Sequence, residues 1–153
     1  MAITTATAAS YKLEALSGGI HLAADVYKIA LIKVGHTGTY GIATTNAGTP
    51  GTGAPTTANL GTDEVTGVGY TAGGNTLTGF SPTAHATGGR LDFANSAWAT
   101  ATISAVGAVI YNSSKANRVL GVYDFGGTIT STAATFTATM PAVGDATSLV
   151  RLT

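Results

Sequence analysis

Three histidines and seven carboxylates are the side chains from which this chain could build a proton-transfer site or a metal site, because it has no cysteine. His21, Asp25, His36 and His85 could meet as metal ligands or as an acid and its base. Their spacing matches none of the zinc patterns, in which ligands come in close pairs. His36 and His85 sit in Gly- and Thr-rich surroundings that suit a solvated histidine. Paired carboxylates for hydrolysis would have to come from Glu14, Asp25, Asp63, Glu64, Asp92, Asp124 and Asp145. Asp92 and Asp124 each precede a phenylalanine at a strand end, where bonding to backbone amides or to Arg90 and Arg118 is the expectation, not general acid and base work. The nucleophile elbow G-x-S-x-G is absent. No catalytic residue, metal ligand or cofactor-binding residue is therefore expected, and the chain does not read as an enzyme.

Two further motifs need weighing. Gly67-Val68-Gly69-Tyr70-Thr71-Ala72 fits G-x-G-x-x-A, which in a strand-turn-helix unit would cradle a pyrophosphate at a helix N-terminus. Here Gly73-Gly74 follows instead of a helix, so a turn-rich strand pair is expected. Among the aromatics, Phe93, Trp98, Tyr111, Tyr123, Phe125 and Phe136 lie in apolar strand contexts and read as core or interface. Tyr40 sits in a long loop, and with Trp98 it would be the residue to find exposed in a groove if the chain bound glycans.

The elements that must position these residues are dominated by one stretch, RLDFANSAWATATISAVGAVIYNSSKANRVLGVYDF, from Arg90 to Phe125. Two β-branched and aromatic runs flank Asn112-Ser113-Ser114-Lys115-Ala116-Asn117, a hairpin signal. The first run is longer than most strands, so a bend or bulge near Gly107 is expected. Trp98, Ile103, Val109, Leu120, Val122 and Phe136 are expected to share one core. Elsewhere, YKIALIKV (residues 27–34) is apolar on both faces and fits an interior strand. Residues 63–70 and 75–80 read as strands around a Thr71–Gly74 turn, and residues 90–93 as another. Gly126-Gly127 reads as a chain break. Phe136, Ala138 and Met140 then alternate with outward-facing Thr135, Thr137 and Thr139 until Pro141, and residues 149–152 close the chain. Gly144-Asp145 reads as a turn.

Residues 1–10 are small and polar and read as an arm ordered only when a partner holds it. Ser10 is a candidate N-cap for a short helix through Leu16 that Gly18-Gly19 would end. Residues 35–61 form a Gly/Thr/Pro-rich loop without sustained period, the best candidate contact loop because structureless loops of that length are uncommon in compact domains. The expectation is an all-β fold. An N-terminal arm (1–10) precedes a single β-sandwich domain (11–153), jelly-roll-like, with about eight strands, a short N-terminal helix and a long loop at 35–61.

Composition agrees. The 153 residues include 28 Thr, 27 Ala and 21 Gly, and the β-branch of Thr suits a pleated surface. Charged residues make up only 9%, with seven basic and seven acidic, against a usual ~25%. Such a neutral chain has no electrostatic grip on a phosphate backbone, so no nucleic-acid partner is expected. The start MAITTATAAS has neither a basic nor an apolar signal region, and no apolar run is long enough to span a bilayer; no membrane partner is expected, and synthesis in the cytoplasm is.

Taken together, YKIALI from Tyr27, TDEVTGVGYTAGGNTLTG (62–79), LDFANSAWATATISAVGAVIYNSS (91–114) and VLGVYDFGG (119–127) resemble a widespread set of small virion-associated proteins of tailed bacteriophages. The resemblance covers most of residues 27–152 and departs at residues 35–61. It implies a structural role, a head decoration or cement protein outside the major capsid protein shell, acting as a homo-oligomer (dimer or trimer). It brings no catalytic residues. A tail, baseplate or head-fibre component is the alternative reading, and a host-glycan binding module a more distant one.

Overall fold

A computed structural model describes residues 1–86, 88–144 and 146–152, and of His85 the backbone. In chain order the elements are β1 (Ala6–Thr7), α1 (Ala9–Leu16), β2 (Tyr27–Lys33), β3 (Asn75–Thr76), β4 (Ser81–His85), β5 (Gly88–Asp92), β6 (Ser96–Asn112), β7 (Arg118–Ala138) and β8 (Val150–Leu152). Two antiparallel sheets result, one ordered β1-β7-β6-β2-β3 and the other β4-β5-β8. The all-β fold with a short N-terminal helix is thus as expected.

The β6–β7 hairpin is the frame. Asn112 Oδ1 accepts the Ser114 N–H at 3.0 Å, and Ala116 and Asn117 take left-handed φ of 52° and 59° to close the connection. Against expectation, Gly126-Gly127 does not break the chain. Gly107 faces Asp124 while Ala105 faces Ile129, so residues 125–128 bulge out opposite Val106 and β7 continues. The bend or bulge expected near Gly107 is this one. A second bulge follows, where Ile103 faces Ser131 but Ala101 faces Ala134. There Ala133 adopts φ 48° and its N–H donates to Thr102 Oγ1 at 2.9 Å. The extra residue shifts the alternation by one, so that Thr128, Thr130 and Thr132 before it, and Thr135, Thr137 and Thr139 after it, are all exposed. Phe136 and Ala138 are buried and Met140 is half-buried, the alternation expected of this segment.

The expected single core is in fact two, because the large sheet is covered on both faces over part of its length. Between the sheets lie Ile29, Leu31, Trp98, Ile103, Ile110, Leu120 and Phe136 from one side with Leu91, Phe93 and Val150 from the other. Ala30, Ile32, Val109, Val119 and Val122 point the opposite way, against Tyr40, Ala47 and Leu60. Trp98, Ile103, Leu120 and Phe136 therefore belong to one core, and Val109 and Val122 to the other. β2, between β6 and β3, is interior as its two apolar faces require.

Residues 35–61, without regular strand or α-helix, pack as the lid of this second core. Leu60 N–H donates to Ala47 O, Ala47 N–H donates to Asn117 O, and Val119 N–H donates to Thr45 O. The arm is likewise built in. Thr4 and Tyr40 are joined through Thr4 N–H to Tyr40 O at 2.9 Å, β1 pairs with β7 at Gly121 and Val122, and Ala8 is fully buried. Thr7 Oγ1 donates to Leu149 O and accepts the Arg151 N–H. Residues small enough to look unanchored are small because they pass close to the sheet.

Local expectations failed where glycine or threonine masked the geometry. Residues 63–70 form no continuous strand: a 3-10 turn, Gly61–Asp63, leads to single bridges of Glu64 to Ile32 and Val68 to Thr102. Only Asn75–Thr76 of the expected 75–80 strand is regular, while β4, SPTAH, was not expected as a strand, and it places the His85 backbone in a sheet instead of a loop. Helix α1 starts one residue before Ser10; Ala8 is its N-cap and supplies no side-chain bond. It does end before Gly18-Gly19, with Gly19 N–H bonded to Glu14 O.

Candidate functional site

Of the four residues that might have met as ligands or as acid and base, the structure joins two. His21 Nε2 lies 2.8 Å from Glu14 Oε2, and its Nδ1 lies 3.0 Å from Asn112 Nδ2. Asn112 Nδ2 also donates to Asp25 Oδ2 at 2.8 Å. Since an amide nitrogen only donates, Nδ1 must accept and Nε2 carries the proton toward Glu14. Both ring nitrogens are spent, and neither is left to take a proton from a substrate. Glu14 also pairs with Arg118, and Lys115 lies 3.7 Å from Asp25. The Leu22 amide, Asn112 and the Lys115 ammonium hold the Asp25 carboxyl below its ordinary range against some desolvation. The cluster ties α1 and residues 20–26 to the end of the hairpin. Of its members His21 also lines an open cavity of about 410 Å³, together with Tyr11, Phe80, Leu91, Val150 and Leu152.

His36 is elsewhere, its Nδ1 2.9 Å from Gly38 O and its ring 6.0 Å from that of Tyr40. The side chains of His85 and Asp145 lie outside the described residues. Among the described residues no three metal-ligating side chains converge.

Asp63 and Glu64, adjacent in sequence, hold two different networks. Asp63 is fully buried and accepts from the Thr37 N–H at 2.9 Å, the Gly38 N–H at 2.6 Å and the Tyr40 hydroxyl at 2.9 Å. Burial pushes its carboxyl up, and these donors with Lys33 outweigh burial and leave it below the ordinary value. Glu64 Oε1 accepts from the Tyr70 hydroxyl at 2.6 Å and the Gly73 N–H at 2.7 Å, while Oε2 is buried without a hydrogen bond. Here desolvation wins and raises the pKa. Tyr111, whose hydroxyl donates to Gly73 O at 2.7 Å, is pushed up to about 12 by burial and then by Glu64. Both carboxylates brace the lid and the 71–74 turn. Neither role is legible from residue type or spacing, which place both carboxylates only at the start of a segment.

Asp92 pairs with Arg90 at 3.3 Å, as expected. Asp124 Oδ1 accepts the Gly126 N–H at 2.9 Å, the expected backbone bond, whereas Arg118 goes to Glu14. The G-x-G-x-x-A glycines serve packing: a Cβ at Gly67 would lie 2.5 Å from Thr102 O, and one at Gly69 2.9 Å from Ala101 Cα. They let this segment cross β6 closely, and no helix follows. Tyr40 and Trp98 are 1% and 4% exposed, so neither ring is displayed at the surface for stacking on a sugar.

Apolar and uncharged polar side chains also reach the surface. Leu13, Leu16, Leu22 and Val26 are exposed on and just after α1. The outer face of the distal hairpin carries Thr100, Thr102, Thr128, Thr130, Thr132, Thr135 and Thr137. No family model, curated protein or solved structure matches the chain.

Proposed function

We propose that this chain is a tailed-bacteriophage virion structural protein, a decoration or cement protein that binds the outer surface of the major capsid protein shell and stabilises it. The reading is carried by the ordered run of segments from YKIALI to VLGVYDFGG that resembles small virion-associated phage proteins. The structure supplies compatible physics: its polar clusters are engaged in holding the arm, lid and helix in place, and the surface left over is nearly neutral. The contact with the shell uses the exposed apolar residues Leu13, Leu16, Leu22 and Val26, whose burial against a partner would be favourable. The arm and the 35–61 lid already belong to the fold, so they are not the segments that order on the particle.

The test is to count copies per virion against the major capsid protein and to add the purified protein to undecorated shells. A copy number comparable to that of the shell subunits, with a raised shell melting temperature, supports the reading. A copy number that is a small fraction of it favours a tail, baseplate or head-fibre part.

A further inference from the structure

The distal half of β7 is bonded to β6 along one edge only. β1 covers the other edge at Gly121 and Val122, and among the described residues no strand pairs there with residues 125–138. In an antiparallel sheet alternate residues direct their N–H and C=O outward, so this edge is a template for another strand. Folded proteins usually blunt such edges with charge or proline, yet no charged residue and no proline occurs between Phe125 and Met140. Two bulges interrupt the edge, and one donor, the Ala133 N–H, is already used by Thr102.

The same segment reads alike from either end. Thr128-Ile129-Thr130-Ser131-Thr132-Ala133 is mirrored by Thr139-Ala138-Thr137-Phe136-Thr135-Ala134 in the position of every threonine. Simple alternation would put Thr132 and Thr135 on opposite faces. The bulge at Ala133, with its φ of 48°, restores them to one face, so all six threonines are exposed.

We infer that two copies of this chain pair antiparallel along this edge, about a two-fold axis between Ala133 and Ala134. Thr128 of one copy then faces Thr139 of the other, Thr130 faces Thr137, and Thr132 faces Thr135. A two-fold interface sets a surface against itself, so any charge on it would meet its own sign nearby; an uncharged, mirror-symmetric edge avoids this. Threonine pairs across strands also bond and pack well. The occupant is thus a second copy, and the inference holds whichever part of the particle the chain binds.

The test is the mass of the isolated protein by light scattering, with folding checked by circular dichroism. Wild type is expected to be a dimer. Thr130→Lys with Thr137→Lys puts lysine opposite lysine at two symmetry-related places and should give monomer. Thr130→Lys with Thr137→Glu puts lysine opposite glutamate at the same places and should remain dimeric. Both positions are exposed, so both variants should keep the wild-type spectrum. A monomeric wild type, a dimeric double-lysine variant, or a Lys/Glu variant that dissociates like the double-lysine one would each overturn the proposal.

Discussion

Val109 and Val122 lie directly opposite each other in the β6–β7 pairing, and both face away from the core that Leu120 enters. Their joint burial, at 1% and 0% exposure, depends on the lid of residues 35–61. Val122→Ala should therefore cost about 1–3 kcal/mol, the range for deleting buried methyl groups. Urea denaturation checks it. An unchanged midpoint would show that the lid does not cover this face in solution.

Asp63 should be the most sensitive polar residue of the lid. Asp63→Asn keeps one acceptor oxygen but turns an NH2 either toward the Thr37 or Gly38 N–H, which can only donate, or toward the Tyr40 hydroxyl, which would have to turn from donor to acceptor. A loss of about 3 kcal/mol is expected. Because the folded carboxyl is held below its unfolded value of about 3.9, its contribution is present above that pH and fades as pH falls through the folded value. The variant should lose this part of the acid sensitivity, read from stability curves at stepped pH.

Glu64 runs the other way. Its folded pKa is raised by burial, so above the unfolded value of about 4.3 the folded chain holds a proton that the unfolded chain has released. Its contribution is present below that pH and is lost as pH rises through the folded value. Glu64→Gln cannot titrate, and the stability of the variant relative to wild type should rise with pH over this window. A difference that stays constant with pH would show that the fold does not disfavour the ionised glutamate.

Deleting residues 2–9 should destabilise the domain. It removes β1, the buried Ala8 and the Thr7 hydroxyl that joins Leu149 O to the Arg151 N–H. A clear fall in melting temperature is expected. A truncated protein that melts like wild type would restore the arm to a free segment.

The mode of shell binding has its own signature. An association resting on Leu13, Leu16, Leu22 and Val26 should weaken little between low and moderate salt. Binding isotherms on undecorated shells at the two ionic strengths measure this, and a collapse at moderate salt would point to charged contacts instead.

The hairpin was legible because β-branched and aromatic residues run densely on both sides of a polar turn. The lid was not, because Tyr40, Ala47 and Leu60 reach the sheet from irregular backbone and show no period. β4 was missed for a related reason: in SPTAH nothing alternates. Residues 63–70 looked like a strand by composition, yet Gly67 and Gly69 take φ of 155° and 81° and turn the chain across β6. The His21 cluster draws on Glu14, Asp25 and Asn112, the last joined across 91 positions, a proximity that only the fold supplies.

One hairpin therefore lives in two surroundings. Near its turn, β6 and β7 are buried on both faces; past the bulge opposite Val106, one face of the same strands meets water. In the monomeric Thr130→Lys, Thr137→Lys variant, whose distal edge is uncovered, opening can begin at the distal end while the proximal end stays closed, so backbone amide exchange should be graded along single strands, slowest at Val109 and Ile110 and fastest toward Thr102 and Thr132. The molecule would then keep a rigid root and a yielding tip on one continuous pair of strands.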